Sequence, residues 1–313
     1  MALFTEVNFP KEFGQIDYNS KLLFIGSCFT EEVGGHLRQL QFDAAINPCG
    51  ITYNPISIAW QIEAALAGKR VSADEVFKHQ GIYSHHQFHG KFNSPDLKNL
   101  VDSTDLALEN LGKRLRNCDF FFLTFGTSIV FELKSTKEVV NNCHKRSSVD
   151  FEKRMLSISE MEDKMNAAIA KVKAINPAVS IVTTVSPIRH LRHGAVSNQR
   201  SKAKLIQLCE EIEKMASYLP VYEMVMDELR DYRFYRQDDL IHMNDGGLNL
   251  VRERFLNNFC ESDTLQLIEE VKKWLRLKNH RVINPDSEEH KKFERKLNEL
   301  TAKLEKKIPG RFS

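Results

Sequence analysis

The chain has 313 residues, within the range of one large α/β domain with insertions. Its 42% hydrophobic and 27% charged residues are enough to bury a sizeable core. A net charge of +2, with no long basic block and no aromatic–basic pattern, argues against a polyanion or nucleic-acid binder. The opening MALFTEVNFPKEFG lacks a basic n-region and an apolar h-region, so no signal peptide is expected. No apolar run approaches the ~18 residues needed to span a bilayer, so no membrane association is expected. Cys28, Cys49, Cys118, Cys143, Cys209 and Cys260 are scattered without CxxC spacing, which reads as reduced thiols in a cytoplasmic protein.

Short apolar runs at 22–25, 42–46, 120–125, 181–185 and 221–225 suit strands buried on both faces, as in a parallel sheet. Helical patterns lie between them, at 30–40, 54–68, 104–116, 150–175 and 198–217, with two more at 245–259 and 263–277. This alternation predicts an α/β fold: a doubly wound, flavodoxin-like parallel sheet of about five strands flanked by helices. Residues 70–103 hold a histidine-rich polar stretch with weak periodicity, an expected insertion over one face. After Asn284-Pro285, Phe293, Leu297, Leu300, Leu304 and Ile308 form one apolar stripe on a lysine-rich helix. That helix is expected to dock on the domain, with self-association as the alternative. The division is then 1–262 for the α/β domain and 263–313 for a C-terminal helical extension.

Ligands of open α/β sheets bind beyond the carboxyl ends of the strands. After the first strand comes Gly26-Ser27-Cys28, then a helical pattern. A serine there can be a simple helix cap, or it can present a hydroxyl at the sheet edge beside backbone N–H groups that stabilise an anion. Late in the chain, Asp239 precedes His242 by three residues, with Asn244 as a helix cap. An aspartate so placed can orient the ring and stabilise its imidazolium, leaving the other nitrogen for a nucleophile. A surface Asp–His pair is the plain alternative.

Together these pieces resemble the SGNH/GDSL hydrolase superfamily. More closely, KLLFIGSCFTEEVGGHL is similar to the GSCFA family, named for its Gly-Ser-Cys-Phe-Ala signature. The segments 47–55, 123–127, 142–145, 184–190 and 239–242 follow in order, so the likeness spans roughly 1–260. The resemblance implies an SGNH-type fold with Ser27 as nucleophile, His242 as general base and Asp239 as its orienting acid. It implies an oxyanion hole from the N–H groups of Ser27 and Gly50. The third donor of SGNH enzymes is an Asn in a Gly-x-Asn motif; here that block reads Gly126-Thr127-Ser128. Ser128 or Thr127 can substitute, or Asn142 can reach in; losing one such donor commonly slows catalysis by about 10²–10³. Thr30 stands where the family name has Ala, and Met243-Asn244 follow His242 where Pro-Ser is expected.

Asn142, His144, Arg189 and His190 are candidate substrate contacts, the last two in a cationic loop after the fourth strand. Cys28 is a better intrinsic nucleophile than serine, but a helix-start neighbour of Ser27 is expected to point into the core. His85, His86, His89 and Cys143-His144 fix no tetrahedral set, so no metal or cofactor is expected. The resulting reading is a cytoplasmic serine hydrolase that cleaves a small-molecule or carbohydrate ester, such as an O-acetyl group on a sugar, through an acyl-enzyme. The alternatives are an O-acyltransferase using the same triad, and a non-catalytic binding or scaffold protein on the same fold.

Overall fold

The computed structural model describes residues 5–11, 13–280 and 287–312. Strands β1 (Lys21–Gly26), β2 (Asp43–Ile46), β5 (Phe120–Phe125), β9 (Ser180–Val185) and β10 (Ser217–Tyr218) build one parallel sheet in the order β2-β1-β5-β9-β10. Counted among themselves, these strands run 2-1-3-4-5, the flavodoxin-like winding. The strand order reverses between β1 and β5, so their carboxyl ends flank the switch point where such sheets bind ligands. A hairpin of β3 (Phe77–His79) and β4 (Ile82–Ser84) and a three-stranded sheet of β6 (Ile129–Leu133), β7 (Val139–Val140) and β8 (Phe151–Met155) complete the strands among the described residues.

The helices are α1 (Cys28–Gln39), α2 (Pro55–Leu66), α3 (Leu97–Leu115), α4 (Ile158–Ile175), α5 (Ala195–Glu211), a single turn α6 (Val221–Glu223), α7 (Asp245–Phe259), α8 (Ser262–Lys278) and α9 (Glu288–Lys307). Their starts follow capping chemistry. Asn54 accepts from the Ser57 N–H with Pro55 next to it, Ser157 from Glu160, and Asn244 from Gly247. None of the helices among the described residues is long and apolar enough to cross a membrane.

Both sheet faces are covered, as the continuous apolar runs require. Along β1, Leu23 and Ile25 face a core shared with α2 through α5, while Leu22 and Phe24 face one shared with α1, α7 and α8. On the latter side Phe24 stacks on Phe122 at 4.5 Å and Phe255 stacks on Phe259 at 4.5 Å. Burying each such ring contributes roughly 1.5–3 kcal/mol. Ile268, Val271 and Trp274 of α8 belong to this same core. The apolar stripe of α9 docks against α8, with Leu304 and Ile308 buried and Trp274 Nε1 donating to Thr301 Oγ1 at 2.9 Å. Asn284-Pro285, the expected start of that segment, lies outside the described residues.

Three elements differ from expectation. The run 221–225 is not the fifth strand: pairing ends at Ser217–Tyr218, and Val221–Glu223 begins a helical turn that continues as a π-turn over Met224–Glu228. Pro220 stops the ladder, and the apolar run is buried in the second core, where short apolar segments serve helix and strand equally. The helix expected over 150–175 starts only at Ile158; its first part is β8, paired antiparallel with β6. Finally, α3 begins at Leu97, capped by Asp96, so the insertion at 70–103 amounts to the β3–β4 hairpin, short turns and the first turns of α3.

Candidate active site

Ser27 caps α1 at the carboxyl end of β1. The turn before it needs glycine: Gly26 has φ +152°, and a Cβ there would lie 2.2 Å from the Thr124 carbonyl oxygen. Asn47, itself 1% exposed, accepts from the Gly26 N–H at 2.9 Å, and the Gly26 carbonyl accepts from Thr52 at 3.0 Å. The loop after β2 therefore clamps the turn from one side and β5 from the other. Ser27 is fully buried and its hydroxyl has no hydrogen-bond partner. An unpaired buried hydroxyl costs about 1–3 kcal/mol, which a structure tolerates most readily where function requires it.

The second component is self-contained. Asp239 accepts from the N–H groups of Ile241 at 2.7 Å and His242 at 3.0 Å through Oδ1, and its Oδ2 lies 2.6 Å from His242 Nδ1. Those backbone bonds, together with the histidine, hold the carboxyl at about 2, so it is ionised at neutral pH. Leu240, between them, takes a left-handed conformation at φ +54°. The Arg189 guanidinium donates to the Leu240 carbonyl and lies over the rings of Tyr232 and Tyr235, so Arg189 braces the loop that carries the pair.

Long-range ion pairs bring this loop to α1. Glu32 meets Arg236 at 3.7 Å and Arg252 at 3.1 Å, while the Arg236 N–H donates to the His242 carbonyl at 2.8 Å. As a result Cys28, Phe29 and Glu32 of α1 line one small cleft with Ile188, Arg236 and His242. Its volume is about 20 Å³, room for a single water. Ser27 makes no hydrogen bond to His242 in this state. Cys28 is half-buried on the cleft wall rather than turned wholly into the core, with burial raising its thiol above the ordinary value.

The remaining sequence candidates divide. His190 does not line the cleft but lies behind it: its ring sits edge-on to Tyr53 at 5.5 Å, and its Nε2 is buried without a partner. Burial, then the nearby Lys202, His193 and His242, lower it to about 4, so it is a neutral imidazole at neutral pH. Asn142 and His144 instead hold the loop before β8 to the hairpin segment. Asn142 Oδ1 accepts from the His144 N–H, its carbonyl meets His86 Nδ1, and His144 Nε2 meets the His85 carbonyl at 3.0 Å. Of the expected oxyanion donors, the Ser27 N–H points to Thr124 O at 3.3 Å and the Gly50 N–H donates to Asn47 O at 2.8 Å. Ser128 is fully buried and bonded to Ser201, its N–H at 2.8 Å.

Sequence reasoning missed three contributors. Asn47 and Tyr53 stand within a recognised segment but without a role, and Lys202 looks like an ordinary helical lysine. Lys202 is 1% exposed and donates to the carbonyls of Gly126 at 2.7 Å and Ser186 at 2.6 Å, the outlets of β5 and β9. Larger hollows exist, one of about 630 Å³ between the hairpin and the β6–β8 sheet, but none of Ser27, Asp239 and His242 lines it. Among the described residues no group of three His, Cys, Asp or Glu side chains could hold a metal ion.

The family model for GSCFA matches residues 21–255, three quarters of the chain and all of the elements that build this site. The chain belongs to the GSCFA family. Within this GSCFA protein, the matched region begins with β1 and ends inside α7, so it includes both the Ser27 turn and the Asp239–His242 loop. No curated protein matches the sequence.

Proposed function

We propose that this GSCFA protein is a serine acyl hydrolase of the SGNH type that cleaves an ester. The observation that supports it best is the Asp239–His242 bond at 2.6 Å, held on a braced loop that shares a cleft with the first turn of α1. Asp239 fixes the proton on Nδ1, so Nε2 is the basic nitrogen. In the reaction Nε2 takes the Ser27 proton, Oγ attacks the ester carbonyl, and the alcohol leaves with that proton. Water then releases the acid from the acyl-enzyme by the reverse proton path. The positive end of α1 favours the oxyanion formed in each half. A carbohydrate O-acetyl group is the first substrate class to try, by fold analogy alone. The free thiols suit a reducing, cytoplasmic setting.

A second reading moves the nucleophile one residue. Cys28, not Ser27, reaches the cleft wall beside His242. Hydrolysis of p-nitrophenyl acetate and butyrate by wild type, Ser27→Ala, Cys28→Ala and His242→Ala separates the two. Loss of orders of magnitude in Ser27→Ala and His242→Ala supports the serine. Retention in Ser27→Ala with loss in Cys28→Ala transfers the role to the thiol. Absence of both turnover and fluorophosphonate labelling in wild type counts against hydrolysis altogether.

A further inference from the structure

The Gly50 N–H and the Ser128 hydroxyl, two donors expected to hold the oxyanion, are engaged by Asn47 and Ser201. Yet a cation sits at the same strand ends with no role in the mechanism above. Lys202 projects from α5 under the outlets of β5 and β9, where its Nζ donates to the Gly126 and Ser186 carbonyls. Those outlets adjoin the Ser27 turn. Gly26 pairs with Thr124 in register, the Ser27 N–H points to the Thr124 carbonyl, and Tyr53 O accepts from the N–H groups of Gly126 and Thr127. Among the described residues no carboxylate pairs with Lys202. Replacing buried ionic groups by well-packed apolar residues of similar volume is often neutral or stabilising, so an unneutralised ammonium at a strand edge calls for a reason.

We propose that Lys202 is a positioning residue of the candidate active site. It fixes the rim formed by the ends of β5 and β9 and places a positive charge behind the first turn of α1, so that the site selects a carboxyl-derived anion. The anion is the oxyanion of the acyl intermediate, a use that rests on the hydrolase reading, or a free carboxylate ligand, a use that does not. Two further observations point the same way. The twelve-residue α1 presents its positive end there, and the Ser27 and Thr30 hydroxyls at that end are buried without partners. The titratable groups facing Lys202 are Cys28 from α1 and His190 from the loop after β9; His193 and His242 act in turn on His190. Burial lowers Lys202 to about 7, so its charge is present on the acid side of neutrality and fades above it.

The test uses the full chain as wild type, Lys202→Met and Lys202→Arg. Acetate binding is followed by NMR titration between pH 6 and 9, and kcat and KM are measured on p-nitrophenyl acetate. Wild type is expected to bind acetate more weakly as pH rises through neutrality. Lys202→Met should bind at least about tenfold more weakly at pH 6.5 and lose kcat by about tenfold or more, with KM nearly unchanged. Lys202→Arg should restore binding and abolish the alkaline fall, because a guanidinium stays charged. A folded Lys202→Met with wild-type acetate affinity overturns the proposal. If that variant does not fold, wild type decides: no acetate binding, or an affinity flat from pH 6 to 9, overturns it equally. Should no variant hydrolyse esters, the hydrolase reading fails while the acetate titration still judges Lys202.

Discussion

Replacing Asp239 by asparagine isolates what its charge does from what its shape does. Oδ1 accepts two backbone N–H bonds, at 2.7 and 3.0 Å, and an asparagine carbonyl can keep both. The other position, now 2.6 Å from His242 Nδ1, becomes an NH₂ that only donates. Nδ1 must then accept, the ring proton moves to Nε2, and the nitrogen facing the nucleophile can no longer take its proton. In a buried triad this inversion lowers kcat by about 10⁴. Here the Asp239 and His242 side chains are 32% and 42% exposed, so water competes for Nδ1 and screens the pair. The expected fall is therefore about 10²–10³ in kcat. The assay is p-nitrophenyl acetate turnover beside thermal unfolding, with the unfolding midpoint expected within about 1 °C of wild type because both backbone bonds persist. Activity within about threefold of wild type, while Ser27→Ala loses a hundredfold or more, would refute the assigned role of Asp239.

Three further outcomes follow from the fold. Gly26→Ala drives a Cβ to 2.2 Å from the Thr124 carbonyl, so β1 and β5 must part locally; a loss on the order of 3 kcal/mol is expected, read as a thermal midpoint roughly 5–10 °C lower. Leu304→Ala empties a fully buried position between α9 and α8 and should weaken their docking by roughly 2–4 kcal/mol, seen as faster amide exchange along α9 and a shift in Trp274 fluorescence. Lys202 has a folded value of about 7 against 10.5 for the free side chain, so between those limits the unfolded chain holds a proton the folded one has shed. Stability contributed by this group consequently rises with pH across that window, by up to about 1.4 kcal/mol per pH unit, and below it the burial penalty is fully present. Subtracting the Lys202→Met denaturation curves from those of wild type should expose that slope, and a flat difference from pH 7 to 10 would contradict it.

Only local features are legible in the amino-acid order. The runs that became β1, β5 and β9 are largely apolar stretches of four to six residues bounded by polar or turn residues, a pattern that survives in any context buried on both faces. The α9 stripe is visible because one helix face repeats every three or four residues, and the Asp239–His242 pair because both partners lie within one short loop. Where two states satisfy the same local pattern, only tertiary structure chose. The apolar segment at 221–225 is equally buried as helix or strand, and Pro220 with its surroundings selected the helix. The Phe151–Met155 segment reads as helix until β6 is there to pair with it. The same limit governs the site. Lys202 lies among Arg200, Lys204 and other polar residues and has the look of a solvent-facing lysine. Its burial exists only because α5 lays it across two strand ends that are 60 or more residues apart from one another in the chain, at Gly126 and Ser186. The meeting of Glu32 with Arg236 and Arg252 has the same origin. Short-range periodicity encodes which face of an element is apolar, but whether a polar side chain finds a partner or a cleft depends on groups far away in sequence, and that is settled only when the sheet and helices pack.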